Sequence, residues 1–254
     1  MKILILTEKP SQARDFAKAL GNCKQKEGYY DCGRYLITWA VGHLFEIDDS
    51  VAPTKWSLET LPIYPEKFKL KLRRGGGKQF KVIKKLLNNC DSVLISTDPG
   101  REGELIAREI LQMAGWKNWD KTYRFWTSEA LTPEVIRKHL KNLKPAKEFD
   151  SLYYSALARQ HADWVVGINF TRLATLKSNS GDVWSVGRVQ TPTLRLIVER
   201  EEEIQNFQPE EYFVIKATFQ KEDKNYEGIL IRDKSFIEKL LKEDIKNLEP
   251  LEED

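Results

Sequence analysis

The chain has 254 residues, 41% of them hydrophobic, and a formal net charge of +3. That is enough apolar material for one large domain or two modest ones, and it excludes a mainly disordered chain. No apolar run is long enough to cross a membrane, and Met1 leads straight into a strand pattern, so no membrane association and a cytoplasmic location are expected. The charge is uneven. From Lys221 to Asp254 there are seven basic and eleven acidic residues (net −4), leaving 34 and 27 (net +7) in the first 220, a hint of an anionic partner.

Taken in chain order, "KILILT" (2–7) is an apolar run of the buried parallel-strand kind. "SQARDFAKALG" follows as a helix with Ala13, Phe16, Ala17 and Leu20 on one face and Gly21 as its stop. "RYLITWAVGHLFEI" reads as a strand ending at Gly42, and "LKLRRGGGKQF" as a basic, glycine-rich loop without the spacing or the Ser/Thr of a P-loop. "KQFKVIKKLLNNC" is a helix, "SVLIST" a buried strand, and the helix after it stops near Gly115. Beyond Trp119 the pattern turns helical. "SEALTPEVIRKHLKNL" is capped by Thr132 with Pro133 first, "FDSLYYSALARQHADWVVGINFTRLATL" is long, and "TPTLRLIVEREEEIQNF" is capped by Thr191 with Pro192 at its start. "YFVIKATF" and "YEGILIR" read as strands, and a charged amphipathic helix ends the chain. Cys23, Cys32 and Cys90 form no CxxC pair and have no Cys/His companions. They give no zinc site, and reduced thiols are expected.

In a parallel α/β sheet, ligands gather beyond the carboxyl ends of strands. Two such ends are acidic here: Glu8 followed by Lys9, and Asp98 followed by Arg101 and Glu102. If the two strands are neighbours, Glu8, Asp98 and Glu102 converge. Clustered carboxylates repel, and a hard divalent cation relieves the repulsion; Mg²⁺ favours a few carboxylates plus waters and phosphate. Acids in a first helical turn also occur simply because they suit the helix dipole. Spacing does not choose among phosphatase-like, nuclease-like and nucleotide-binding uses.

"ILTEKPSQA" and "STDPGREGELIA" resemble the two acidic motifs of a Toprim domain. "WAVGHLFE", "RFWTSEALTPEVI", "ARQHADWVVGINFTR" and "WSVGRVQTPTLRLIVEREEEI" follow in the order found in type IA DNA topoisomerases, nearest the topoisomerase III branch. The resemblance implies a Rossmann-like, mainly parallel Toprim domain (1–122), an all-helical DNA-binding domain (123–208) and the start of a strand-rich gate domain (209–254). It implies a catalytic acid at Glu8, phosphate-charge stabilisation by Lys9, and Mg²⁺ on Glu8, Asp98 and Glu102. Gly100 stands where the family motif has its middle acid, so only slight stabilisation by Mg²⁺ is expected. Arg101, Arg124, Arg159, Asp163, Ser185, Arg188 and Gln190 fall at the family's DNA-binding positions. Trp164 divides evenly between core packing and base stacking. His43 reads as a satisfied structural histidine, and Glu104 as a helix-surface or structural residue.

The family cuts one DNA strand with a tyrosine in an "RTDS"-like segment, without ATP, through a 5′-phosphotyrosyl link, to relax or decatenate DNA. None of the nine tyrosines here has that context. The resemblance therefore implies the amino-terminal part of such an enzyme, nucleoid-associated, needing its remaining domains in cis or trans and unable to cleave alone. A piece of a longer enzyme is the favoured reading over a naturally short or split subunit. A non-catalytic single-stranded-DNA-binding module is the alternative. A Toprim primase or nuclease is disfavoured by the helical motifs.

Overall fold

The structure is a computed structural model that describes residues 2–209 and 213–229. In chain order its elements are β1 (Ile3–Thr7), α1 (Pro10–Leu20), β2 (Lys24–Lys26), β3 (Tyr29–Cys32), β4 (Tyr35–Trp39), β5 (Phe45–Ile47), β6 (Leu70–Leu72), α2 (Gly77–Leu87), β7 (Ser92–Ser96) and α3 (Arg101–Met113). There follow β8 (Thr122–Arg124), α4 (Pro133–His139), β9 (Lys144–Pro145), α5 (Asp150–Ser178), α6 (Gln190–Gln205), β10 (Lys216–Lys221) and β11 (Lys224–Ile229). The chain divides into two compact units, Met1–Leu196 and Ile197–Asp254.

The first unit is α/β. Its seven-stranded sheet has the order β2-β3-β4-β1-β7-β8-β9. The centre is parallel: β1 pairs with β4 and β7, and β7 with β8, while the outer pairs are antiparallel. Side chains alternate across a strand. From β1, Leu4 and Leu6 enter one core with Ile83, Leu87, Ile106 and Ile110 of α2 and α3. Ile5 enters the other core with Ala13 and Phe16 of α1 and Ile136 of α4. Each fully buried Leu or Ile contributes about 1.5–3 kcal/mol, which fixes the register. Thr7 lies opposite Ser96 in that register, so β1 and β7 end level with each other. The sheet runs on through β8 and β9 to Pro145, beyond residue 122.

Several local expectations need correction. The segment read as one strand up to Gly42 is two. β4 stops at Trp39, Gly42 takes φ +64°, and β5 pairs with β6 in a separate two-stranded sheet. The basic glycine-rich segment is therefore partly strand, and Gly77 opens α2. The hairpin β2–β3 was not anticipated, because its strands are only three and four residues long. It overturns the expectation of reduced thiols at two positions. Its antiparallel register sets Cys23 opposite Cys32, with Cα atoms 4.1 Å apart, and they form a disulfide; Cys90 is free. α6 starts one residue before Thr191, whose hydroxyl accepts from the Gly187 N–H. Thr132 does cap α4, accepting from the Val135 N–H.

In the second unit, β10 and β11 form an antiparallel hairpin with Phe219 stacked on Tyr226. The predicted final helix lies outside the described residues. Among the described residues, no helix is long and apolar enough to cross a membrane.

Candidate functional site

Because β1 and β7 end at one level, the residues that leave them meet. The Asp98 N–H donates to Glu8 Oε2 (3.2 Å), and Lys9 Nζ lies 2.9 Å from Asp98 Oδ2 and 4.0 Å from Glu8 Oε1. Gln12, in the first turn of α1, clips the two strand ends together. Its Oε1 accepts from the N–H groups of Glu8 (3.0 Å) and Lys9 (3.1 Å), and its Nε2 donates to Asp98 Oδ1. The Glu8 side chain is only 12% exposed. Burial, and then the Asp98 charge, push its carboxyl above the ordinary carboxylate range. The hydrogen bond to Asp98 raises the Lys9 ammonium, which stays charged. The result is a carboxyl that holds a proton more readily than usual, with a fixed cation beside it: the components of general-acid chemistry next to a developing negative charge.

Glu102 does not join this pair. Its Oε1 meets His43 Nε2 at 2.5 Å, while His43 Nδ1 lies 3.6 Å from Oε2 of the buried Glu109. Glu109 Oε1 in turn accepts from Gln160 Nε2 on α5 (2.7 Å). His43 is thus the link between α3 and the chain after β4. The carboxylates of Glu109 and Glu102 on either side of the ring raise its pKa against the effect of burial. Among the described residues, no group of three or more His, Cys, Asp or Glu is gathered as a metal site. Glu8 and Asp98 nonetheless fit a small hard cation. They are adjacent, oxygen-only and mutually repelling, and Mg²⁺ is commonly held by one or two carboxylates with waters and phosphate.

Arg124 departs from the groove role expected of it. Its side chain is fully buried, with Nη1 donating to the carbonyls of Ile95 (3.2 Å), Thr97 (2.9 Å) and Phe125 (2.7 Å), and Nη2 to that of Asp98 (2.8 Å). Nε lies 2.5 Å from Glu104 Oε1, and Glu104 Oε2 accepts from Arg108 Nε (3.0 Å). The guanidinium is enclosed by the four carbonyls and the Glu104 carboxylate, so Arg124 holds the backbone under the site rather than a ligand. Glu104 is fully buried and structural, not a surface residue.

A second set lies on α5 and the loop after it. Asp163 takes both Arg159 (Nε–Oδ2 3.5 Å) and Arg188 (Nε to Oδ1), and Ser185 Oγ meets Gln190 Oε1 at 3.4 Å. Arg101 is exposed at the first position of α3. Trp164 is partly buried and meets Phe68 edge-on, and Phe68 stacks on His161 at 3.8 Å. A cavity of about 590 Å³ runs between α5 and the β5–β6 hairpin, reaching Glu102. The Arg188 hydrogen bond holds the Asp163 carboxyl below its ordinary value of 3.8. A depressed carboxyl contributes stability above its unfolded pKa and loses it as pH falls through the folded value, so the pair should persist down to below pH 3.8. In Arg188→Ala, carboxyl NMR titration should show Asp163 returning upward; no change would break the assignment.

The family model described as the Toprim domain matches residues 3–130, half of the chain, and the model described as DNA topoisomerase matches residues 147–251. This chain belongs to the Toprim-containing DNA topoisomerases, a family of isomerases. It is 46% identical over 222 residues to DNA topoisomerase 3 of Bacillus licheniformis, a match covering 85% of this chain and 30% of that protein. It is 44% identical over 226 residues to DNA topoisomerase 3 of Staphylococcus aureus, covering 86% and 31%. The chain thus spans under a third of the length of these relatives. Full-length topoisomerase I of Thermotoga maritima shares the fold, with a TM-score of 0.55 and 24% identity over 93% of this chain and 37% of that one.

Four residues around the site escaped sequence reasoning: Gln12, Gly103, Glu109 and Gln160. Only Gly103 carried a signal, since a glycine in the first turn of an otherwise strong helix needs a reason. The reason is contact. A Cβ there would lie 2.2 Å from the Asp98 carbonyl oxygen.

Proposed function

We propose that this chain is the amino-terminal part of a type IA DNA topoisomerase, binding a single-stranded DNA segment and Mg²⁺ next to Glu8, Lys9 and Asp98. The observation that carries the reading is the meeting of the largely buried Glu8 with Lys9 and Asp98 at two level strand ends. In the strand-passing reaction a tyrosine oxygen bonds to phosphorus and the 3′ oxygen leaves. Glu8 hands its proton to that leaving oxygen, and Lys9 neutralises charge growing on the phosphate. Asp98, with Glu102 once it leaves His43 and Glu8 once it has given up its proton, would hold Mg²⁺, which when bound supplies charge neutralisation for the phosphate. Arg101 faces the phosphate path, and Arg159, Asp163, Ser185, Arg188 and Gln190 hold the strand. Arg124 serves by fixing the Asp98 backbone.

The attacking tyrosine belongs, in this reading, to a segment outside these 254 residues, so the chain by itself binds DNA without relaxing it. The domain plan is a Toprim part, a helical part and the beginning of a strand-rich part. Since β9 lies in the first sheet, we draw the first boundary after Pro145 rather than at 122.

The test is anisotropy titration of a labelled single-stranded oligonucleotide, where phosphate contacts make affinity fall with salt. Arg159→Ala is expected to weaken binding several-fold. Equal affinity would count against the groove assignment, and plasmid relaxation by the chain alone with Mg²⁺ would contradict the missing nucleophile.

A further inference from the structure

Resting on that nucleic-acid reading, we infer that the β5–β6 hairpin is a second, phosphate-binding wall of the groove, with Lys71 and Arg73 taking successive phosphates of one strand. Both line the cavity that Arg159, Asp163 and Trp164 line from α5. Lys71 is in β6, and the Arg73 N–H continues the ladder by donating to the Leu44 carbonyl (2.8 Å). Two residues apart on an extended chain, they share a face and stand about 6.6 Å apart along it, on the order of one nucleotide step of a stretched strand. A single strand laid in the cavity would have its backbone on the hairpin and its bases toward Trp164 and Asp163. There an aromatic ring offers stacking and a carboxylate can accept from base N–H groups.

At present the two cations are held by carboxylates of the same hairpin. Glu46, directly across from Lys71 in the strand register, lies 3.5 Å from its ammonium and 3.2 Å from Arg73 Nε, and Asp49 also pairs with Lys71. These pairs are largely exposed, Asp49 at 89% and Glu46 at 40%. Exposed pairs contribute little, so an incoming phosphate displaces them at small cost. Glu46 and Asp49 stand where phosphate oxygens would, and they keep both cations pointed into the groove.

The experiment uses the whole chain, a labelled oligothymidylate and a series of salt concentrations. In the Lys71→Ala/Arg73→Ala double variant, the slope of log affinity against log salt should shrink by about 1.4, two contacts at roughly 0.7 each on a single strand. Glu46→Gln, which releases Arg73 and removes one of the two carboxylates on Lys71, should tighten binding several-fold, a gain that damage to the hairpin would not produce. Lys78→Ala, on α2 and paired with Glu27, should leave binding unchanged. An unchanged slope in the double variant, with Arg159→Ala still weakened, overturns the second wall and leaves the groove reading intact. Failure of every form to bind overturns both. If the double variant fails to fold, Glu46→Gln decides alone: tightening supports the wall, and equal or weaker binding overturns it.

Discussion

Arg124→Ala is expected to destabilise the first unit by about 3–5 kcal/mol, the cost of breaking a buried pair and stranding its partner. Glu104 would keep Arg108 on one oxygen, but its other oxygen would face a void inside the fold. Four main-chain carbonyls would also lose the guanidinium as a donor, although that of Ile95 keeps the Phe125 N–H. For a unit of this size the melting temperature should fall by on the order of 10 °C. Arg124→Lys should recover little, because an ammonium cannot reproduce the planar fork that meets several carbonyls and a carboxylate together. Replacing both partners, Arg124→Met with Glu104→Leu, should recover only part of the loss: it removes the stranded charge, but Arg108 loses Glu104 and the carbonyls still lack the guanidinium. Thermal and urea unfolding of the three variants checks this; a loss below about 1 kcal/mol for Arg124→Ala would refute the buried role.

Gly103→Ala is expected to destabilise, although alanine in a helix is normally better than glycine by about 1 kcal/mol. The added Cβ would sit 2.2 Å from the Asp98 carbonyl oxygen and 3.1 Å from the Asp98 amide nitrogen. Neither is a side-chain end that can swing away; both are backbone. Overpacking of this kind costs about 1–3 kcal/mol. The larger consequence falls on the site. α3 and the 97–98 turn must part, and the Asp98 carboxylate moves away from Lys9, Gln12 and the Glu8 contact. Single-strand binding and any Mg²⁺-dependent rise in melting temperature should weaken together. A variant more stable than the parent with unchanged binding would mean that the helix does not rest on that carbonyl.

How much of this was legible in the sequence depended on whether the signal was local. β1 and β7 are runs buried on both faces, and α1 and α3 have apolar stripes, so their patterns hold without knowledge of the neighbours. The convergence of Glu8 and Asp98 needed one further assumption, that the two strands are adjacent, and the register supplies it. Arg124 misled because an arginine at a strand end looks the same in sequence whether it meets solvent or a buried glutamate. Glu104, twenty residues earlier, decides which. His43 and Glu102 are 59 positions apart, and no spacing rule joins them. The Cys23–Cys32 pair was hidden for a different reason: strands of three and four exposed or half-exposed residues carry no alternation to read.

α5 is 29 residues long, about 43 Å at 1.5 Å per residue, and only three of its residues are buried. Packing alone would leave it a loosely seated rod. Its first residue, Asp150, is held by Arg108 at 2.6 Å. Five turns later Asn169 binds both the N–H (2.6 Å) and the carbonyl (2.8 Å) of Ile63, and Arg172 donates to the Pro53 carbonyl (2.8 Å). Arg159, Gln160 and Asp163 lie between these anchors, so the helix behaves as a beam supported at both ends rather than as a cantilever. In the proposed groove, a load on Arg159, Gln160 or Asp163 would fall between the two supports and be shared by both, passing into α3 at Arg108 and into the loop at Pro53 and Ile63.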